Sequence, residues 1–207
     1  MAVSRTRLEA FSDGVFAVAI TLLALDLAVA GPGHGPLLRQ LADHWPSFVA
    51  YLISFSTIGI IWVNHHALIA DLAVVDRALL YLNLVLLLFV VVIPFATATM
   101  AEYLTLGGQD ARVAMALYAA ALAGLGLSFG GIFEWTLRPG RRQRPVPERA
   151  RWTARLRFGI GSILYLAAIP VAFLSPPVAL TVIGAVAVYY IFERTPALGP
   201  RADDQRE

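Results

Sequence analysis

The polar side chains that could do chemistry here are few, and most of them stand inside apolar sequence. Ser12 and Asp13 open the stretch RLEAFSDGVFAVAITLLALDL from Arg7 to Leu27, and Thr21 is the one hydroxyl between Val15 and Leu25. A hydroxyl set in an apolar wall can offer oxygen to a cation that has lost part of its water. A carboxylate at membrane depth costs a few kcal/mol or more, so Asp13 calls for a partner or a task. Trp62, Asn64, His65 and His66 form a second polar group, and Asn83 stands alone further on. Histidine titrates near physiological pH, which makes a proton-sensing or gating role available. His65 and His66 project about 100° apart on a helix, so they do not converge on one ion, and no metal centre is expected.

The elements that position these groups follow from composition. The chain has 207 residues, is 58% hydrophobic, and contains more apolar runs than a soluble domain of this size can hide. Crossing a hydrocarbon core takes about 20 apolar residues. Six segments qualify: 9–29, 46–70, 78–100, 110–134, 156–174 and 177–193. The fold expected is therefore all-α and polytopic, with six transmembrane helices per subunit. One membrane unit covers 1–194, and a polar tail covers 195–207. The breaks carry turn chemistry, from Gly31-Pro32-Gly33-His34-Gly35-Pro36 to Gly107-Gly108 and Ser175-Pro176-Pro177. No small-residue cleavage site follows the first apolar run, so that helix is expected to stay. Cysteine is absent, which excludes disulfides and thiolate metal sites.

On a helical wheel Gly14, Val18, Thr21, Leu25 and Ala28 share one narrow stripe of the first helix, with Leu22 at its edge. Phe16, Ile20, Leu23 and Leu27 cover the opposite side, and Ser12 and Asp13 point off the stripe. The chain has no lysine, and its 16 basic residues are all arginine. Fourteen of them fall at the N-terminus, between helices two and three, in the run 138–157, or after helix six. Six spans put those regions on one side, with only Arg39 and Arg112 on the other. The positive-inside rule makes that side cytoplasmic, both termini included. Such a charge pattern reads as loop charge at a bilayer, not as a nucleic-acid site.

With this topology the cytoplasmic ends of helices one to three meet. Ser12, Asp13, His65 or His66, and Asn83 are expected at one level, satisfying one another. A structural network that locks helix one is the first reading, and pH sensing is the second. Arg7 lies about 120° from Asp13 around the helix and is a poor partner for it. Asp26 and Glu102 are expected as solvated mouth residues. Glu134 and Glu193 are expected to pair with neighbouring arginines. Gly126 and Gly130 have the spacing of close helix packing, and Pro94 and Pro170 are expected to kink their helices. No second copy of the helix-one signature exists, so any symmetry must come from several chains.

Enzyme signatures are missing: there is no Walker loop, dinucleotide glycine fingerprint, HExxH or nucleophile elbow. No catalytic residue and no cofactor are expected. A TVGYG-like carbonyl filter is absent too. The motif RxxxFSD at Arg7, Phe11, Ser12 and Asp13, followed by GVFAVAITLLALDL, resembles the prokaryotic relatives of the endolysosomal potassium channel called transmembrane protein 175. WxxHH at Trp62, His65 and His66 is similar to that family's second helix. Asn83 with Ile93-Pro94-Phe95 is similar to its third, although Ala96 stands where the family more often has proline.

The resemblance implies a homotetramer in a bilayer with a cation pore lined by helix one. Carried over by position, Val18, Leu22 and Leu25 form the apolar constriction and Thr21 a hydroxyl layer that contributes potassium preference. Valine is smaller than the residue expected at position 18. The function expected is a potassium-permeable channel of a prokaryotic inner (plasma) membrane, with potassium as permeant ion and sodium weaker. The rival is a proton-coupled secondary transporter using Asp13 and the helix-two histidines. A structural membrane protein without transport is a third class, and it needs no hydroxyl-bearing slim stripe.

Overall fold

The computed structural model describes residues 4–25, 27, 31–144 and 146–192. Seven helices are present among them: α1 (Arg5–Leu25), α2 (Leu37–Asp43), α3 (Trp45–Ala70), α4 (Arg77–Leu104), α5 (Gly108–Thr136), α6 (Glu148–Leu174) and α7 (Pro176–Phe192). Six of these are the long apolar segments expected. Five are long and apolar enough to cross a membrane by themselves, and α7 is a shorter apolar helix of 17 residues. The expectations placed on Asp26, Ala28, Glu193 and the tail 195–207 lie outside the described residues.

The seventh helix, α2, was not expected. Its seven residues LLRQLAD are too short to show a period, and the preceding Gly-Pro loop masks its start. Gln40 holds it by bonding three backbone groups of that loop, at Gly31 and Gly35. Helix α6 begins eight residues before the expected span, so Arg149, Arg151 and Arg155 are helical. Arginine is a good helix former, and apolar length alone cannot find such a start. Ser175 is the single residue between α6 and α7; it is extended, as a residue before proline prefers, and Pro176 opens the next helix. At the α4–α5 turn Gly107 and Gly108 take φ of 70° and 71°, a conformation that favours glycine.

Helix α5 is the most buried span and packs between α4 and α6. Helix α1 is held at the side of the bundle by α3 and α4. Small residues let the central helices approach. A side chain at Gly124 would run into the Phe89 ring, and one at Gly126 would meet Ser162 Oγ at 2.9 Å. The expected pair is thus only half used, because Gly130 faces open space. A buried hydroxyl cluster joins three helices: Ser54 Oγ lies 2.8 Å from Thr97 Oγ1 and 2.7 Å from Tyr118 Oη. Both prolines stand inside helices that continue past them, Pro94 in α4 and Pro170 in α6.

The arginine-rich loop is fastened to the α3–α4 turn. Arg142 bonds Asp71 at 2.8 Å and Arg141 bonds Asp76 at 2.6 Å. The backbone joins as well: Ala73 donates to the Arg141 carbonyl and Gln143 to the Asp71 carbonyl. Arg141 also stacks over Trp135, 4.5 Å from the ring centroid. Glu134 accepts two bonds of 2.7 Å from Arg155, an arginine partner as expected.

Candidate functional site

Helix α1 has two faces, and the fold treats them oppositely. Leu8, Ser12, Phe16, Ala19 and Leu23 recur every three or four residues and are buried against α3 and α4. Val18, Thr21, Leu22 and Leu25 are left exposed, with Val18 56% and Leu25 72% accessible. Gly14 continues that face with nothing near it. Leu22, at the stripe's edge on the wheel, is also its most covered large residue at 38%. The buried face is fixed by packing, and the exposed face is left without cover by the other described residues.

The hydroxyl of Thr21 donates to the Val18 carbonyl at 2.8 Å. That bond ties its proton to the helix backbone. The oxygen lone pairs are then free to face outward, which is the polarity a cation needs. Leu22 and Leu25 flank Thr21 toward one end of the helix and Val18 toward the other. An apolar wall with one ring of oxygen can therefore strip and partly replace a hydration shell, provided several copies face a common axis.

The other end of α1 is held by polar contacts. Ser12 Oγ donates to the Leu8 carbonyl at 2.9 Å, so its oxygen must accept from Asn83 Nδ2 at 3.0 Å. Asn83 Oδ1 is then the acceptor for His65 Nε2–H at 2.7 Å. One intrahelical bond thus sets the direction of the whole chain, and all three residues are buried. The Phe16 ring lies against His65, with centroids 5.6 Å apart.

Asp13 does not join this chain. Its Oδ1 accepts from the Trp62 indole at 2.8 Å, and His66 is exposed beside Trp62, with ring centroids 6.2 Å apart. The single network expected is therefore two separate clasps, because Ser12 and Asp13 are adjacent and face different helices' edges. Asn64 turns back to its own helix, bonding the Ile60 carbonyl. Arg7 and Phe11 are exposed on the first turns of α1. Glu102 lines a cavity of about 440 Å³ together with Asp43 and His44, while Asp26 lies outside the described residues.

Sequence reasoning missed Arg5. Its guanidinium donates to the Ala70 carbonyl at 2.7 Å, capping the end of α3, and it also stands 3.7 Å from Glu9. Arginine at a helix C-terminus is a favourable pairing, and the adjacent ends of α1 and α3 were the available signal. Asp71 and Asp76 are further such residues, and the signal for them is opposite charge on the α3–α4 turn and the loop that holds Arg141 and Arg142.

The chain is similar to known proteins in sequence and in fold. The family described as Endosomal/lysosomal potassium channel TMEM175 matches residues 7–94. A potassium channel of Streptomyces collinus is 43% identical over 192 residues, covering 92% of this chain and 93% of that protein. The endosomal/lysosomal proton channel TMEM175 of Gallus gallus is 38% identical over 109 residues, covering 48% of this chain and 22% of that one. Among solved structures, a lysosomal potassium-selective channel TMEM175 homolog from Chamaesiphon minutus superposes with a TM-score of 0.78 at 35% identity, covering 90% of this chain and 96% of that chain.

Proposed function

The chain belongs to the TMEM175 family of potassium channels, and from that premise we propose that it conducts potassium along the exposed face of α1 at the centre of a homotetramer. One observation carries the reading. A helix hydrophobic enough to be buried all round is buried on one side only, and its open side is slim, apolar and bears a single outward oxygen at Thr21.

In the proposed mechanism, rings of Val18, Leu22 and Leu25 exclude water when narrow and admit ions when the helices rotate or spread. Thr21 supplies four oxygens to a partly dehydrated ion. The clasps Ser12–Asn83–His65 and Asp13–Trp62 hold one end of α1 against α3 and α4, so the lining face keeps its orientation. Potassium is the permeant ion, sodium a weaker one, and no cofactor or catalytic residue takes part. By the arginine distribution, the end of the bundle with the run 138–157 faces the cytoplasm of a prokaryotic inner membrane.

Proton-coupled transport is the weaker reading. It needs Asp13 and the α3 histidines on one path, whereas Asp13 is engaged by Trp62, His65 by Asn83, and His66 is exposed. The test is the reversal potential of purified protein in planar bilayers under a potassium gradient, with and without a proton gradient. A channel follows the potassium equilibrium potential in both cases. A reversal that tracks the proton gradient overturns the proposal.

A further inference from the structure

A second feature lies away from α1, where α5 ends and α6 begins. A cavity of about 320 Å³ is lined by Arg138, Arg142, Arg144 and Arg151, together with Thr136 and Val146. Among the described residues no carboxylate lines it. Glu148, in the first turn of α6, is exposed and outside the wall. Arg141 and Arg155, which hold Asp76 and Glu134, also lie outside it, and of the wall arginines Arg142 pairs with a carboxylate, Asp71, from beyond the lining. Like charges gathered around a hollow repel one another unless an anion is present.

Arg142 makes the case specific. Its side chain is only 6% exposed, and Nε and Nη2 are spent on Asp71. Its Nη1 is buried and finds no acceptor among the described residues. A buried guanidinium nitrogen without a partner is costly, and it asks for an acceptor that the protein does not supply. Arg151 gives Nε to the Val146 carbonyl, which fixes its fork at the rim. Guanidinium forks match phosphate oxygens two at a time.

We propose that this cavity binds a phosphate group, as the head group of an anionic lipid or as free phosphate. Trp152 and Leu156 are exposed on the adjoining turns of α6, an arrangement found where a helix enters the membrane interface. Basic pockets at that level suit lipid head groups. Arg142 reaches Asp71 from the cavity wall, so an occupant also bears on the turn between α3 and α4.

The experiment uses the full chain in a neutral detergent. Retention of phosphatidylglycerol against phosphatidylcholine is read by native mass spectrometry. Inorganic phosphate against chloride, at equal ionic strength, is read by thermal melting. Arg138→Gln and Arg144→Gln remove wall charges that hold no carboxylate among the described residues, and Arg149→Gln is the control outside the cavity. Each wall variant is expected to weaken binding about fivefold, and the control to change it less than twofold. Phosphatidylglycerol retained against excess phosphate identifies the lipid source. Protection by inorganic phosphate that also displaces lipid identifies free phosphate. Equal losses in wall and control variants, or no preference for the anionic probes, overturn the site.

Discussion

The indole nitrogen of Trp62 lies 2.8 Å from Asp13 Oδ1, a contact between residues 49 apart in sequence. It joins the two most distinctive motifs of the chain at the N-terminal end of α1 and the C-terminal end of α3. Asp13 is half-buried there, and the indole is its side-chain partner. The bond therefore satisfies a carboxylate that would otherwise be poorly placed, and it sets the rotation of α1.

Trp62→Phe keeps the ring and removes the donor. It should lower stability by about 1–2 kcal/mol, the usual loss for a bond to a charged group that stays partly hydrated. Asp13→Asn should cost a similar amount, and the double variant much less than the sum. Thermal melting of the purified assembly supplies the cycle; strict additivity would show that the two residues do not act together.

The buried chain Ser12–Asn83–His65 predicts a different signature. Ser12→Ala strands Asn83 Nδ2, and Asn83→Leu strands His65 Nε2, so each should destabilise by about 1–3 kcal/mol. Ion selectivity should be unchanged, because none of the three lies on the exposed face. A shifted reversal potential in Ser12→Ala with normal melting would move this group into the conduction path.

Assembly is tested by cysteine. The native chain has none, so Val18→Cys and Phe16→Cys each introduce a single thiol. Val18→Cys should form disulfide-linked dimers under mild oxidant, and Phe16→Cys, at 1% exposure, should not. The reverse pattern would remove α1 from the axis.

The proposed selectivity layer is tested at Thr21. An apolar ring only excludes, whereas a hydroxyl ring replaces part of a hydration shell, and potassium holds its water less tightly than sodium. Thr21→Val keeps the shape without the oxygen and should lower potassium-over-sodium permeability several-fold. Leu25→Ala should instead raise conductance or leak with a smaller change in preference. Bi-ionic reversal potentials distinguish them, and an unchanged Thr21→Val value would assign selectivity to pore radius or to another helix.

The loop clasp predicts a pH dependence of stability. The Leu79 backbone N–H at the α4 N-cap, aided by the Arg141 charge, holds the Asp76 carboxyl below its ordinary range. A depressed carboxylate stabilises the fold above its unfolded pKa, and that stability is lost as pH falls through the folded pKa. Asp76→Asn keeps a cap acceptor but no charge. It should melt lower than the native chain near neutral pH, and the gap should close in acid below about pH 4. A gap that stays constant across that range would exclude a charge effect.

Much of this molecule is local in origin and could be read along the chain. Apolar length gave the six long helices, and the 3.6 period separated Val18, Thr21 and Leu25 from Phe16 and Leu23. These depend on spacing within one helix, which is a property of the chain itself. The level at which Ser12, His65 and Asn83 meet was legible for the same reason, since helix lengths and turns set depth. The tertiary structure decided what needs rotation between helices. It sent Asp13 to Trp62 and His65 to Asn83, left Gly130 open while closing Gly124 on Phe89, and turned Asp71 and Asp76 toward Arg142 and Arg141. Those choices depend on how each helix turns about its axis against its neighbours, and side-chain packing between distant segments sets that angle.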